Sequence, residues 1–180
     1  MFVRSLLVSA IAGLSAAAPL EDLVPSLPDI ATFTTFEMYS GYLAIPNTGK
    51  KLHYLFNSSQ NSPSTDPLLI WFNGGPGCSS MLGWSQEHGP YVMDSGTNYF
   101  IENEFSWNKF ANVLYIESPA GVGYSYCDGV KECTFTDDKS AEDNLTAVLA
   151  FFDKFPEFKS NELYISGESY AGIYVPYLTY

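Results

Sequence analysis

Six residues, Gly167-Glu168-Ser169-Tyr170-Ala171-Gly172, constrain the fold of this 180-residue chain more than any other segment. They follow the apolar run Leu163-Tyr164-Ile165-Ser166 and open an aromatic-rich stretch that reads as a helix. A serine on a sharp strand-to-helix turn has its hydroxyl pushed out of the sheet, open to solvent. The turn is tight, so the residues two before and two after the serine must be small. Gly167 and Ala171 meet that requirement, although glycine is the usual residue at the later position. By chance G-x-S-x-[GA] arises in roughly one chain in ten of this length. The weight therefore falls on its setting and on a second loop.

That loop, Trp71-Phe72-Asn73-Gly74-Gly75-Pro76-Gly77-Cys78-Ser79-Ser80, leaves another apolar strand, 68–72. When a serine attacks a carbonyl carbon, the carbonyl oxygen becomes an oxyanion. Backbone N–H groups must already point at it, and glycines let the main chain approach that closely. One such donor belongs to the residue after the nucleophile, here Tyr170. The other comes from an upstream strand-to-helix loop, here a glycine between Asn73 and Gly77. A glycine-rich turn without chemistry is the plainer alternative. The joint placement of both loops favours the chemical reading.

Several stretches of this sequence resemble the serine carboxypeptidase family: WFNGGPGCSS at 71–80, SWNKFANVLYIESPAGVGYSY at 106–126 and GESYAGIYVP at 167–176. SGYL at 40–43 and EHGP at 87–90 add to the resemblance, which runs from about Leu20 to Tyr180 and is strongest to the lysosomal, cathepsin A-like branch. It implies an α/β-hydrolase fold: a mixed, mostly parallel central sheet with helices on both faces, ending here after the nucleophile elbow. It implies Ser169 as nucleophile and Gly75 and Tyr170 as oxyanion donors. Asn73, Glu87 and Glu168, assisted by the Gly74 N–H, match the group that holds the substrate's C-terminal carboxylate. The partner expected is a peptide or protein with a free C-terminus, with no cofactor and no metal. A carboxylate directly before a nucleophilic serine repels an anionic substrate unless it carries a proton. Two carboxyl groups sharing one site raise the apparent pKa of the pair, so substrate binding is expected to be best at acidic pH. Without the resemblance, Glu168 reads as a solvated turn residue and Glu87 as a surface charge.

A hydrolase of this layout runs Ser, then Asp, then His along the chain. Only 11 residues follow Ser169, and none is Asp or His. The two histidines lie upstream. His53 sits in the alternating segment 51–56 and reads as a partly exposed strand residue; His88 reads as local packing. A serine without its base is a poor nucleophile. The expectation is an N-terminal part of a domain whose C-terminal half is missing. Three readings follow: an acid-active carboxypeptidase, an esterase or acyltransferase on the same scaffold, or a catalytically inactive luminal binding or stabilising protein.

Residues 1–17 read as a secretory signal, with Arg4 before the apolar core 6–14 and small residues at 16–18 for cleavage after Ala17. The rest, 18–180, reads as a single domain portion. No later run reaches the length of a membrane span. An excess of 20 Asp+Glu over 8 Lys+Arg argues against nucleic acid and anionic membrane as partners. Together these place the chain in the secretory pathway, in a lysosome or vacuole or secreted. In an oxidising lumen Cys127 and Cys133 are candidates for a local disulfide, which leaves Cys78 over. In the family the cysteine of that loop pairs with one in the downstream half. Asn57-Ser58-Ser59 and Asn144-Leu145-Thr146 are glycosylation sequons, whereas Asn61-Ser62-Pro63 is excluded by its proline.

Residues 19–32 read as an extended segment. Strands are expected at 40–45 and 51–56 around a turn at Asn47-Thr48-Gly49, with a polar loop at 60–67. Buried strands are expected at 68–72 and 111–116, and a helix at 78–86. The clearest helix spans 137–155, with Ala141, Leu145, Val148, Leu149 and Phe152 recurring at helical spacing until Pro156 stops it. The strand at 163–166 then presents an apolar sheet edge.

Overall fold

The computed structural model describes residues 18–28, 30, 35–94, 96, 99–129 and 133–180. The signal-peptide reading of 1–17 lies outside the described residues. Strands β1 (Leu23–Val24), β2 (Met38–Ile45), β3 (Lys50–Asn57) and β4 (Leu68–Phe72) lead to a π-helical turn, Gly83–His88. A small hairpin of β5 (Tyr91–Met93) and β6 (Phe100–Glu102) comes next, followed by β7 (Asn112–Ile116) and β8 (Tyr126–Cys127). Helix α1 (Asp137–Lys154), strand β9 (Leu163–Gly167) and helix α2 (Ala171–Thr179) complete the order.

One mixed sheet runs β1-β2-β3-β7-β4-β9, with β8 pairing the start of β3. The first half is antiparallel, with the β2–β3 hairpin turning at Asn47 and Gly49, both at positive φ. Strands β7, β4 and β9 are mutually parallel through β4. The carboxyl ends of those three strands therefore lie at one edge, which is where ligand sites form in such sheets.

Alternation along each strand sorts the core into two layers. Leu52, Tyr54, Phe56, Leu68, Ile70, Phe72, Leu114 and Ile116 face α1 and α2. Leu55, Trp71, Val113 and Tyr115 face the opposite side, where Trp84 packs. An aromatic cluster seals α1 to the sheet: Phe151 and Phe155 lie 5.1 and 5.2 Å from Phe56, ring centre to ring centre.

Helix α1 matches its expected span but not its expected face. Leu145 and Leu149 are 50% and 58% exposed, and the buried residues are Ser140, Asp143, Asn144, Ala147, Val148 and Phe151. The helix is turned about one residue from the all-apolar stripe. The reason is a buried ion pair, Lys50 Nζ to Asp143 Oδ2 at 2.7 Å, which draws a polar position to the sheet. A second pair, between Lys154 Nζ and Asp22 Oδ2, ties the end of α1 to the N-terminal segment. Thr136 caps the helix start by accepting the Lys139 N–H. The helix expected at 78–86 is instead a two-residue helical turn at 81–82 running into the π-helical turn.

Both glycosylation readings are overturned. Asn57 and Asn144 are fully buried, and neither side-chain amide has a hydrogen-bond partner among the described residues. Asn57 ends a strand flanked by β2 and β7, and Asn144 faces the sheet from α1. A glycan needs its amide nitrogen in solvent, and neither position offers that. The Cys127–Cys133 disulfide is formed, and Cys78 is free and exposed.

Candidate active site

Strand β9 ends in register with β4, Gly167 opposite Phe72, and the chain turns at once into α2. The Glu168 N–H donates to Phe72 O at 3.2 Å, and the Ala171 N–H donates to Glu168 O at 2.9 Å. Between them Ser169 has φ 55°, one of two non-glycine residues at positive φ among the described residues. That conformation costs a residue with a Cβ roughly 1–2 kcal/mol, so the surrounding turn must hold it. The turn is also crowded. A methyl group on Gly167 would stand 2.4 Å from Phe72 O and 2.5 Å from Ala171 Cβ, which explains the two small residues. Ser169 is exposed, and its hydroxyl has no partner among the described residues.

The loop leaving β4 lies against this turn. A methyl group on Gly74 would meet Tyr170 N at 2.5 Å and Ser169 Cβ at 3.0 Å, so only glycine lets the two backbones touch. Gly75 follows at φ 110°. Neither the Gly75 nor the Tyr170 N–H has an acceptor among the described residues. Two unpaired backbone donors thus flank an exposed serine.

Asn73 is buried, and the orientation of its amide is set on one side by donors. Its Oδ1 accepts the Trp71 indole N–H at 2.8 Å and the Gly83 N–H at 3.1 Å. Its Nδ2 is thereby aimed at Glu168 Oε1, 3.0 Å away, and at Glu87 Oε1, 3.4 Å away. Ser80 locks the backbone, accepting the Asn73 N–H at 3.2 Å and donating to Ile116 O at 2.6 Å. Asn73 opens the loop after β4, Glu87 lies in the π-helical turn and Glu168 in the turn after β9, and one amide joins them. Glu87 and Glu168 are themselves exposed.

Neither histidine has Ser169 among its hydrogen-bond partners. His53 is buried, not partly exposed as the strand alternation suggests. It lies between Ser40 Oγ, 2.8 Å from Nε2, and Glu117 Oε2, 2.9 Å from Nδ1. The alternation misleads because this face of the hairpin is covered by the 117–125 loop. Glu117 is a buried carboxylate beside this edge that the sequence reading did not single out. It is 0% exposed and accepts from Ser79 Oγ and from the Tyr124 N–H as well as facing His53. Burial alone raises a carboxyl pKa, but the bonds from His53, Ser79 and Tyr124 outweigh it and hold Glu117 below the usual range. A carboxylate directly after an all-apolar buried strand was the available signal.

His88 packs as expected, stacked on Trp107 at 3.9 Å and edge-on to Trp71 at 4.4 Å, with Nδ1 3.0 Å from Tyr115 Oη. Burial pulls its pKa down to about 4. The folded state thus stays neutral while the unfolded chain takes up a proton below about 6.5. The stability this provides is complete above 6.5 and drains as pH falls toward 4, by about 3 kcal/mol at most. His88→Gln, which cannot be protonated, removes this slope. Melting measured from pH 7 to 4 checks it, and an equally steep variant would contradict it.

A serine carboxypeptidase family model matches residues 28–180. This chain is a member of the serine carboxypeptidase family. Its relatives include the mouse lysosomal protective protein, 49% identical over 162 residues, covering 90% of this chain and 34% of that protein. Serine carboxypeptidase ctsa-4.1 of Caenorhabditis elegans is also 49% identical, with the same coverage, and serine carboxypeptidase-like 21 of Arabidopsis thaliana is 42% identical over 180 residues. The chain spans about a third of the length of these relatives. A prohormone-processing carboxypeptidase from Saccharomyces cerevisiae superposes with a TM-score of 0.69 at 28% identity, over 90% of this chain and 37% of that one. An acylaminoacyl peptidase from Pyrococcus horikoshii, 18% identical with a TM-score of 0.52 over 81% of this chain and 21% of that one, shares the α/β-hydrolase fold.

Proposed function

We propose that the full-length protein is a serine carboxypeptidase that removes C-terminal residues through an acyl-enzyme on Ser169. One observation carries the exopeptidase reading: Asn73 Nδ2 bridges Glu87 and Glu168 one residue before the exposed serine. Two carboxyl groups and an amide beside a nucleophile suit a substrate carboxylate and have no purpose for an internal peptide bond. The Gly75 and Tyr170 N–H groups receive the oxyanion. The reading assigns the Asp and His of the triad to the two thirds of the relatives' length that this chain does not span, and the placement of His53 and His88 away from Ser169 supports it. The Cys127–Cys133 disulfide supports a compartment of the secretory pathway, a lysosome, a vacuole or the exterior.

An ionised carboxylate only accepts hydrogen bonds. The Asn73 amide is therefore the donor that this set offers a substrate carboxylate. Asn73→Ala removes the one side-chain donor. KM for a free-acid peptide is expected to rise at least about tenfold, with peptide amides little affected. Peptide release assayed on matched acids and amides is the test. Equal turnover of acid and amide by the parent would move the esterase or acyltransferase reading ahead.

A further inference from the structure

We propose that Glu117 is a positioning residue for the oxyanion loop. It holds Ser79, and through Ser79 it fixes where the Gly75 N–H points. The inference rests on the reading of the loop as an oxyanion site.

The loop from 73 to 80 is secured at its start by Asn73 and Ser80, as described above. Its middle is a tight turn, closed by the Cys78 N–H donating to Gly74 O at 3.0 Å. Gly75 is packed against the far side of that turn, where a methyl group would sit 2.7 Å from Cys78 N. The exposed part of the loop, 75–78, has one other support, the Gly77 N–H donating to Tyr174 Oη at 3.2 Å. The residue directly after this turn is Ser79, and its hydroxyl is anchored on Glu117 Oε1. Ser79 Oγ in turn accepts the Met81 N–H at 3.1 Å, so the one hydroxyl joins the loop, the start of the helical turn and the buried carboxylate.

The other oxygen of Glu117 cannot wander. Oε2 is held by His53 Nδ1 at 2.9 Å and by the Tyr124 N–H at 2.8 Å. Ser125 Oγ donates to Glu117 O at 2.6 Å and accepts the His53 N–H at 2.7 Å, closing a ring between β3 and the 117–125 loop. His53 is held in turn by Ser40. The oxyanion loop is thus fastened to the central sheet through a fully buried carboxylate. Donors aimed at an oxyanion lower the barrier only if they are already in place, and a displacement near 1 Å costs about 100-fold. The carboxylate-binding set is held separately by Trp71, Gly83 and Ser80. Loosening Ser79 should therefore affect the transition state and spare substrate binding.

The test uses the full-length enzyme and the variants Ser79→Ala, Ser79→Thr and Glu117→Gln. Active sites are counted with a fluorophosphonate probe, so that loss of folded protein lowers the titre and not kcat per titrated serine. For Ser79→Ala, kcat per titrated serine is expected to fall about 10- to 100-fold, with KM for a free-acid peptide changed less than about threefold. Ser79→Thr restores the hydroxyl and most of kcat, and Glu117→Gln falls between. Amide hydrogen exchange at Gly77 and Cys78 is expected to quicken in Ser79→Ala, whatever the activity. Unchanged kcat per titrated serine, a loss expressed in KM alone, or unchanged exchange at Gly77 and Cys78 overturns the proposal. A parent enzyme that the probe does not label refutes the Ser169 reading instead, and the exchange rates then judge the anchor by themselves.

Discussion

Ser169→Ala in the full-length enzyme is expected to lower peptide release by at least about 10⁴-fold, the scale on which a serine nucleophile is missed. The hydroxyl is exposed and unbonded, so its removal breaks no contact that holds the fold. The backbone strain stays, because alanine at φ 55° has the same Cβ as serine. Stability should therefore match the parent within experimental error. Ser169→Gly makes the complementary point. It abolishes activity equally but relieves the strain, and should raise unfolding free energy by about 1 kcal/mol. Probe labelling, peptide release and denaturant unfolding of the three proteins check both halves. Residual labelling in the alanine variant would show that another residue is the nucleophile. A glycine variant no more stable than the alanine one would show that the turn carries no strain.

Glu117→Ala is expected to cost about 3–5 kcal/mol of unfolding free energy, the largest stability effect of any single change considered. It leaves the buried His53 Nδ1 and the part-buried Ser79 hydroxyl and Tyr124 N–H without their acceptor. Each orphaned buried donor costs about 1–3 kcal/mol. Glu117 is fully buried, so little solvent reaches the gap to compensate. Because its carboxyl is held below the ordinary range, its contribution is present above the unfolded-state pKa and is lost as pH falls through the folded one. The difference between parent and variant should therefore narrow at strongly acidic pH. Denaturant unfolding at neutral pH and near pH 3 measures this, and a neutral-pH difference below about 1 kcal/mol would contradict it.

The strand-to-helix serine turn was legible because its physics is local. A sharp turn needs small residues at 167 and 171, and the structure shows the contacts that demand them. The buried strands β4 and β7 were legible as continuous apolar runs, since a strand covered on both faces has no polar side. The exposed edge at β9 was legible too: Leu163 and Tyr164 stand 43% and 53% exposed beside a strand paired only with β4 among those described. The orientation of α1 was not. An apolar stripe is a fair guide only when burial is apolar, and here the ion pair between Lys50 and Asp143 brings a polar face inward across 93 residues of sequence. The sequons at Asn57 and Asn144 failed for the same reason, because a sequon records three residues and not what covers them.

The sequence by itself determined the family, the strand-to-helix serine turn, the glycine loop and the acidic balance. Each of these rests on residue types in close succession, whose steric and electrostatic demands do not depend on distant parts of the chain. Tertiary structure alone decided which side chains meet. Asn73, Glu87 and Glu168 are up to 95 residues apart, and it is the parallel pairing of β4 with β9 that brings the segment after β4, with Asn73 and the π-helical turn of Glu87, against the turn after β9 that carries Glu168. His53 and Glu117 look like an ordinary strand histidine and an ordinary loop glutamate, 64 residues apart. Only the packing of the 117–125 loop over β3 excludes water from both, and there the Glu117 carboxylate joins His53 to Ser79 of the glycine loop.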